Sequence, residues 1–235
     1  MHAALRHDPE NVLEAWVETD RRDKRMAALL NDLQHLGVAV HAVERGDLDR
    51  RCGGAAHQGV AIRYRQAPPL DEAALERLLD GLDHPAFLLV LDQVQDPHNL
   101  GACMRSADAA GVDAVIAPRD RAVGLTPTVH KVASGATRST PFVQVTNLAR
   151  SLESLKRRGI WLVGATGERG QPLYGTDLRG PLAVVMGAEG KGLRRLTREV
   201  CDHLVSIPMA GAVESLNVSV ATGVVLFEAV RQRGT

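Results

Sequence analysis

The sequence predicts an α/β protein built on a parallel sheet, with a smaller α/β unit ahead of it. Three observations carry this. Six short runs of nearly unbroken apolar, β-prone residues recur between positions 87 and 207, with helical segments between them. Strands apolar on both faces, alternating with helices, make parallel sheets covered on each side. The same alternation appears at smaller scale over 12–64, and a Pro-bounded segment separates the two stretches.

The elements follow in order. "VLEAWV" (12–17) reads as a strand. "DKRMAALLNDLQHLG" (23–37) is an amphipathic helix that stops at Gly37. "VAVHAV" (38–43) and "GVAIRY" (59–64) are further strands. Together they form a small domain over 1–66. "RQAPPLDEAALERLLDGLDHP" (65–85) has Pro at both ends and a short polar helix between, and 67–84 is read as a linker carrying that helix. The large domain spans 85–235. Its strands are "FLLVLD" (87–92), "AVI" (114–116), "FVQV" (142–145), "IWLVGA" (160–165), "LAVVMG" (182–187) and "HLVSI" (203–207). Helices are expected over 99–110, 147–158 and 215–231. The last is apolar on nearly every side, the mark of a buried helix.

Composition narrows the function. Aromatics are 3% of 235 residues, so aromatic base-stacking platforms are not the main device. The formal net charge is zero, but its distribution is uneven: 84–235 hold 17 Lys+Arg against 13 Asp+Glu. A modest basic surface in the large domain follows, and its cations are mostly Arg, which suits phosphate recognition. Cys52, Cys103 and Cys201 are odd in number and widely spaced, which argues against a disulfide framework or zinc site and for a reducing compartment. No apolar run is long enough to span a bilayer, and no signal-peptide pattern opens the chain. These features together predict a cytoplasmic protein without a metal centre.

In open parallel sheets ligands bind at the carboxyl ends of the strands, and three such ends here are chemically loaded. The first is "LDQVQDPHNLGACMRSADAAG" (91–111). Asp92 ends a strand, Asn99 can cap the helix that follows, and that helix carries Arg105. The second is "VVMGAEGKGL" (184–193), with Gly187, Gly190 and Gly192 spaced G-x-x-G-x-G. This matches neither the dinucleotide nor the P-loop fingerprint, so a phosphate cradle is not expected. Glycine permits close backbone approach to a ligand, and Glu189 sits in mid-loop. The third is "IPMAGAVESLNVS" (207–219). Pro208 and Gly211 break the strand, and Ser215 or Asn217 begins the last helix. Glu214, Ser215, Asn217 and Ser219 are more polar groups than one cap needs, and surplus polar groups at a buried helix start point to a site.

In this order, the three segments resemble the motifs of the SpoU (TrmH-like) branch of the SPOUT methyltransferases: N-x-G-A-x-x-R at Asn99–Arg105, G-x-E-G-x-G at Gly187–Gly192, and I-P-M-x-G-x-x-x-S-L-N-V-S at Ile207–Ser219. With "KVASGA" and "LNVSVATGVVLFEAVRQR" the likeness covers most of 87–233, and the set is specific although each motif alone is weak. The N-terminal unit, with "HQGVA" at 57–61, resembles the small L30e-like RNA-binding domain of bacterial 23S rRNA guanosine-2′-O-methyltransferases. One departure is the start, "MHAALRHDPENV", where the family has a short G-x-N/H-A-V segment and its helix.

The resemblance implies transfer of a methyl group from S-adenosylmethionine to a guanosine ribose 2′-hydroxyl of 23S rRNA. It implies an obligate homodimer and a C-terminal trefoil knot, where the residues alone suggest a Rossmann-like sheet. Gly187, Ile207, Met209, Leu216 and Thr166 fall at the donor site. Arg105 matches the family's arginine. A guanidinium is effectively always protonated, so its expected work is to grip the substrate phosphate and stabilise the forming alkoxide. Asn99 would orient Arg105 or the ribose, with Glu189, Ser215 and Asn217 completing the site and Glu189 as candidate base. Two alternatives stand beside this reading: a tRNA 2′-O-ribose methyltransferase, and a non-catalytic rRNA-binding assembly factor of the same fold.

Overall fold

The described residues of the computed structural model are 5, 9–19, 21, 23–54, 56–65, 69–167, 170–188, 190 and 192–234. They fall into two units, Met1–Pro68 and Pro69–Thr235. The atypical start of the chain lies largely outside the described residues, as does Glu189.

The first unit holds a three-stranded sheet in the order β2-β1-β3, formed by β1 (Val12–Glu18), β2 (Ala39–Val43) and β3 (Val60–Tyr64). β1 runs parallel to β2 and antiparallel to β3. The parallel pair needs a crossover, and α1 (Lys24–His35) supplies it. Asp23 caps α1 by accepting from the Arg25 and Met26 amides, both at 3.0 Å. Met26, Leu29 and Leu33, at helical spacing, bury their side chains with Val12, Ala15, Val17 and Val60. Gly37 then takes φ +66°, the left-handed stop that its position after the helix predicts. A helix absent from the sequence reading, α2 (Arg45–Arg51), follows β2. It is short and carries a single buried residue, Leu48, so it leaves no apolar stripe to recognise.

The second unit is a seven-stranded sheet in the order β6-β5-β4-β9-β7-β10-β8. The strands are β4 (Phe87–Asp92), β5 (Ala114–Pro118), β6 (Phe142–Val145), β7 (Trp161–Ala165), β8 (Gln171–Pro172), β9 (Leu182–Gly187) and β10 (His203–Ser206). Every ladder in it is parallel. Side-chain alternation explains why whole strands are apolar. Phe87, Leu89 and Leu91 of β4 enter one core with Leu100, Met104, Val225 and Leu226. Leu88 and Val90 enter the other with Leu75, Leu148, Leu152 and Leu155. The helices on the first side include α4 (Pro97–Ala109), α5 (Pro127–Ala133), the one-turn α6 (Ala136–Ser139) and α9 (Val218–Arg233); α3 (Glu72–Asp80) and α7 (Leu148–Arg157) cover the second, and α8 (Arg195–Val200) follows β9.

The segment read as a linker behaves differently. Leu70 extends the sheet beyond β6, donating its amide to Phe142 O at 3.1 Å and accepting from Gln144 N at 2.8 Å. Leu75 of α3 is 3% exposed in the second core, and Glu76 accepts from Ser154 of α7. The helix is thus part of the large unit, because its one apolar stripe is spent on the sheet.

α9 matches its reading as an apolar helix only in part. Thr222, Val225, Leu226 and Ala229 are fully buried, whereas Val220 and Phe227 are half exposed. Thr222 donates to Val218 O at 2.7 Å and lies 3.5 Å from Cys103 Sγ, which ties α9 to α4.

Candidate active site

α4 starts one turn earlier than Asn99 would set it. Pro97 has no amide proton to give and suits the first helical position. The cap therefore falls to Asp96, whose carboxylate accepts from the His98 amide at 2.9 Å. Asn99 is left inside the first turn, 7% exposed, and needs a partner. It finds one 118 positions away: Asn217 Nδ2 donates to Asn99 Oδ1 at 2.9 Å. Asn217, rather than Ser215, caps α9, and its Oδ1 accepts from the Ser219 amide at 2.9 Å and the Ser219 hydroxyl at 2.6 Å. One hydrogen bond thus joins the N-termini of two helices. Ser215 stays exposed just ahead of the cap.

The glycine loop leaves β9 at Gly187. A Cβ there would lie 2.1 Å from the Gly192 carbonyl carbon, so only glycine lets the two backbone segments close. They close through Ala188 N to Gly192 O at 3.1 Å and Gly192 N to Ala188 O at 2.9 Å. Gly190 and Gly192 turn the loop with φ of +71° and +64°. Asp92 anchors its far end. This residue sits opposite Gly187 across the ladder, is fully buried, and accepts from Arg194 N at 3.0 Å and Arg194 Nε at 2.6 Å. A carboxylate at the end of an otherwise apolar strand was legible as unusual. Its partner, 102 positions on, was not.

The loops leaving β7, β9 and β10, three adjacent strands, enclose a cavity of 360 Å³. Thr166, Gly187, Ile207, Met209 and Leu216 all line it, as do Ser215 and Glu214. Thr166 is held by its amide to Val205 O at 2.9 Å. Met186, Leu193 and Val205 add apolar surface to the wall, and Arg198 lines it although no motif marks that residue. The cavity lies on the carboxyl side of the sheet, where β9 has been inserted between β4 and β7 and the strand order switches.

Arg105 is exposed on α4, outside the residues that line the cavity. Among the described residues it makes no hydrogen bond or ion pair, so its charge is available to a ligand. The two cysteines of this unit are quenched as nucleophiles. Burial pushes the Cys103 thiol up to about 11 and the Cys201 thiol up to about 12, where neither forms a useful thiolate at neutral pH. Burial, with the Arg138 guanidinium nearby, holds His130 below the ordinary histidine value. Among the described residues no group of three His, Cys, Asp or Glu side chains converges as a metal site would need. No helix among them is long and apolar enough to cross a membrane.

Comparison with known proteins bears on the whole chain. Residues 86–227 match the SpoU rRNA methylase family, and residues 1–70 match the RNA 2′-O ribose methyltransferase substrate-binding family. The 23S rRNA (guanosine-2′-O-)-methyltransferase RlmB of Shewanella oneidensis is 53% identical over 99% of this chain and 94% of that protein. The protein of the same name from Ralstonia nicotianae is 56% identical over 98% of this chain and 92% of its own length. Among solved structures, the SpoU methyltransferase AviRb from Streptomyces viridochromogenes, in complex with the cofactor AdoMet, superposes with a TM-score of 0.77 at 27% identity, over 98% of this chain and 86% of that one. The large unit, with its parallel sheet, glycine loop and Asn99–Asn217 clasp, belongs to a chain that is a member of the SpoU rRNA methylase family.

Proposed function

We propose that this protein transfers the methyl group of S-adenosylmethionine to the 2′-hydroxyl of a guanosine ribose in 23S rRNA. The observation that carries the reading is the cavity at the ends of β7, β9 and β10, with Asn99 and Asn217 clasped across the neighbouring helix N-termini. The names of the relatives supply the reaction and the RNA.

The cavity suits the donor. At 360 Å³ it falls within the range of about 300–1,000 Å³ usual for small-molecule sites. Its glycine loop lacks a phosphate fingerprint, and the donor carries no phosphate. Gly187, Gly190 and Gly192 bring backbone without side chains to the cavity wall. When bound, the donor supplies an electrophilic methyl on a sulfonium. Gly187, Thr166, Ile207, Met209 and Leu216 hold it.

A ribose hydroxyl is a poor nucleophile, so charge developing on its oxygen must be stabilised or its proton removed. Arg105 grips the substrate phosphate and stabilises the forming alkoxide. Asn99, locked by Asn217, orients the ribose. Ser215 borders the donor cavity from the same helix start. Glu189 is the candidate for taking the proton, and an unchanged pH dependence of the rate in Glu189→Gln would remove it from that role.

The N-terminal unit binds the rRNA. Because phosphate contacts dominate, affinity falls as salt rises, and a salt-independent affinity would count against it. The half-exposed Val220 and Phe227 of α9 are covered by a second copy in a homodimer, whose loops around the site are threaded as a trefoil knot. An active monomer in analytical ultracentrifugation would overturn the dimer. The protein acts in the cytoplasm, where its ribosomal substrate is made. The experiment that tests the whole reading is methylation of 23S rRNA transcript with purified protein, read by mass spectrometry of nucleosides. One new 2′-O-methylguanosine is expected. Methylation of tRNA alone would favour the tRNA enzyme, and RNA binding without methylation would favour an assembly factor.

A further inference from the structure

We propose that Arg198 reads the amino-acid end of the methyl donor by gripping its α-carboxylate. The inference rests on the donor reading of the cavity given above. Among the described residues lining that cavity only two side chains are charged, Arg198 and Glu214. The rest of the wall is backbone, small hydroxyls and apolar groups such as Met186, Leu193, Val205 and Ile207. Such walls suit an adenine ring and a thioether but offer a carboxylate no opposite charge.

The donor at neutral pH carries two positive groups, the sulfonium and the α-ammonium, and one negative group, the α-carboxylate. An unpaired carboxylate entering a partly dry cavity loses hydration that must be replaced. Arg198 is the one cation of the described wall, and a guanidinium matches a carboxylate with two parallel hydrogen bonds.

Its position is well supported. Arg198 stands one turn along from Arg194, with its amide bonded to Arg194 O at 2.9 Å. Arg194 is itself fastened through backbone and side chain to the buried Asp92. Thr197, next to Arg198, is 1% exposed, so the short helix is seated on the core. Arg198 is half-buried on a backbone that is fixed before the ligand arrives, which lowers the entropy cost of binding. None of the residues assigned to the donor from the motifs carries a positive charge, so this contact adds the one recognition element that the motif set lacks.

Calorimetric titration of wild type and Arg198→Gln with two probes tests it. S-adenosylhomocysteine has the carboxylate; S-adenosyl-3-thiopropylamine lacks only that group. In Arg198→Gln, affinity for S-adenosylhomocysteine should fall about 10- to 100-fold, the range for loss of a charge-assisted hydrogen bond. Affinity for the decarboxylated probe should stay within about threefold of wild type. Arg198→Lys keeps the charge but loses the fork, and should lie between. Equal effects on both probes, or no effect on either, would overturn the assignment. If Arg198→Gln lost RNA affinity instead, the guanidinium would be reading phosphate and the proposal would fall. If wild type bound neither probe, the donor reading of the cavity would fail first, a result distinct from failure at Arg198.

Discussion

Asp92→Asn isolates the anchor of the glycine loop. The wild-type carboxylate is fully buried and takes two hydrogen bonds from Arg194, at 2.6 and 3.0 Å. The substitution keeps the shape, removes the charge, and turns one acceptor oxygen into a donor facing an N–H. One Arg194 bond is lost outright and the other becomes neutral–charged. A hydrogen bond to a charged group contributes about 1.5–3 kcal/mol. Breaking a fully buried ion pair by removing one partner costs about 3–5 kcal/mol. Here Arg194 is 39% exposed and can recover water, so the cost belongs below that range, at about 2–3 kcal/mol. That is a sizeable part of a typical stability of about 5–15 kcal/mol. The assay is urea unfolding followed by Trp161, the tryptophan of the large unit, in a Trp16→Phe background that silences the other one. The same variant should bind S-adenosylhomocysteine less tightly, because the loop from Gly187 to Arg194 has lost its far anchor. Unfolding within about 0.5 kcal/mol of the parent, the usual range for an unimportant surface change, together with unaltered binding, would refute the reasoning.

Three further outcomes follow from the geometry. Gly187→Ala places a methyl 2.1 Å from the Gly192 backbone, so the loop must open; calorimetry should show donor-analogue binding abolished, with a stability loss of about 1–3 kcal/mol. Arg105→Lys should lower the single-turnover rate about 10²- to 10³-fold with donor-analogue affinity unchanged, since Arg105 lies outside the cavity wall; a near-native rate would exclude a bidentate guanidinium role. Hydrogen bonds from Arg231 and then Gln232 hold the Glu228 carboxyl well down, to about 2, against an ordinary 4.5. A depressed carboxylate stabilises the fold above its unfolded value and loses that stabilisation as pH falls toward the folded one. The melting-temperature advantage of wild type over Glu228→Gln should therefore be constant above about pH 5 and shrink between about 4.5 and 2. An advantage that persists at pH 2 would show that Glu228 acts by shape rather than charge.

Much of the architecture was legible along the chain. The runs at 87–92, 142–145 and 182–187 are strands with those bounds, because residues buried on both faces leave an unbroken apolar signature. The helix at Lys24–His35 announced its apolar stripe and its glycine stop. The candidate site was legible as three polar strand ends; residues of the second and third, among them Gly187, Ile207, Met209 and Leu216, share one cavity wall, while the first is joined to them through the Asn99–Asn217 hydrogen bond. Capping was less legible. Pro97 and Asp96 moved the start of α4 ahead of Asn99, and the capping role at the last helix went to Asn217 rather than Ser215. The choice between neighbouring polar residues depends on where the backbone leaves the helix, which local sequence does not specify.

Amino-acid order sets the elements, their amphipathic faces and the polar strand ends, because these arise from interactions within a few residues: hydrogen bonds at i and i−4, side-chain alternation, and caps. What those ends meet is set by packing across the whole fold. The insertion of β9 between β4 and β7, the pairing of Asp92 with Arg194, the clasp of Asn99 on Asn217, and the seating of α3 on the large sheet are all contacts across long stretches of chain. Each is set by packing a whole sheet face and by closing long loops, and neither leaves a periodic trace near the residues concerned. For the same reason the motifs could mark Asn99 and Asn217 as polar and exceptional, while only the fold could show that each is the other's partner.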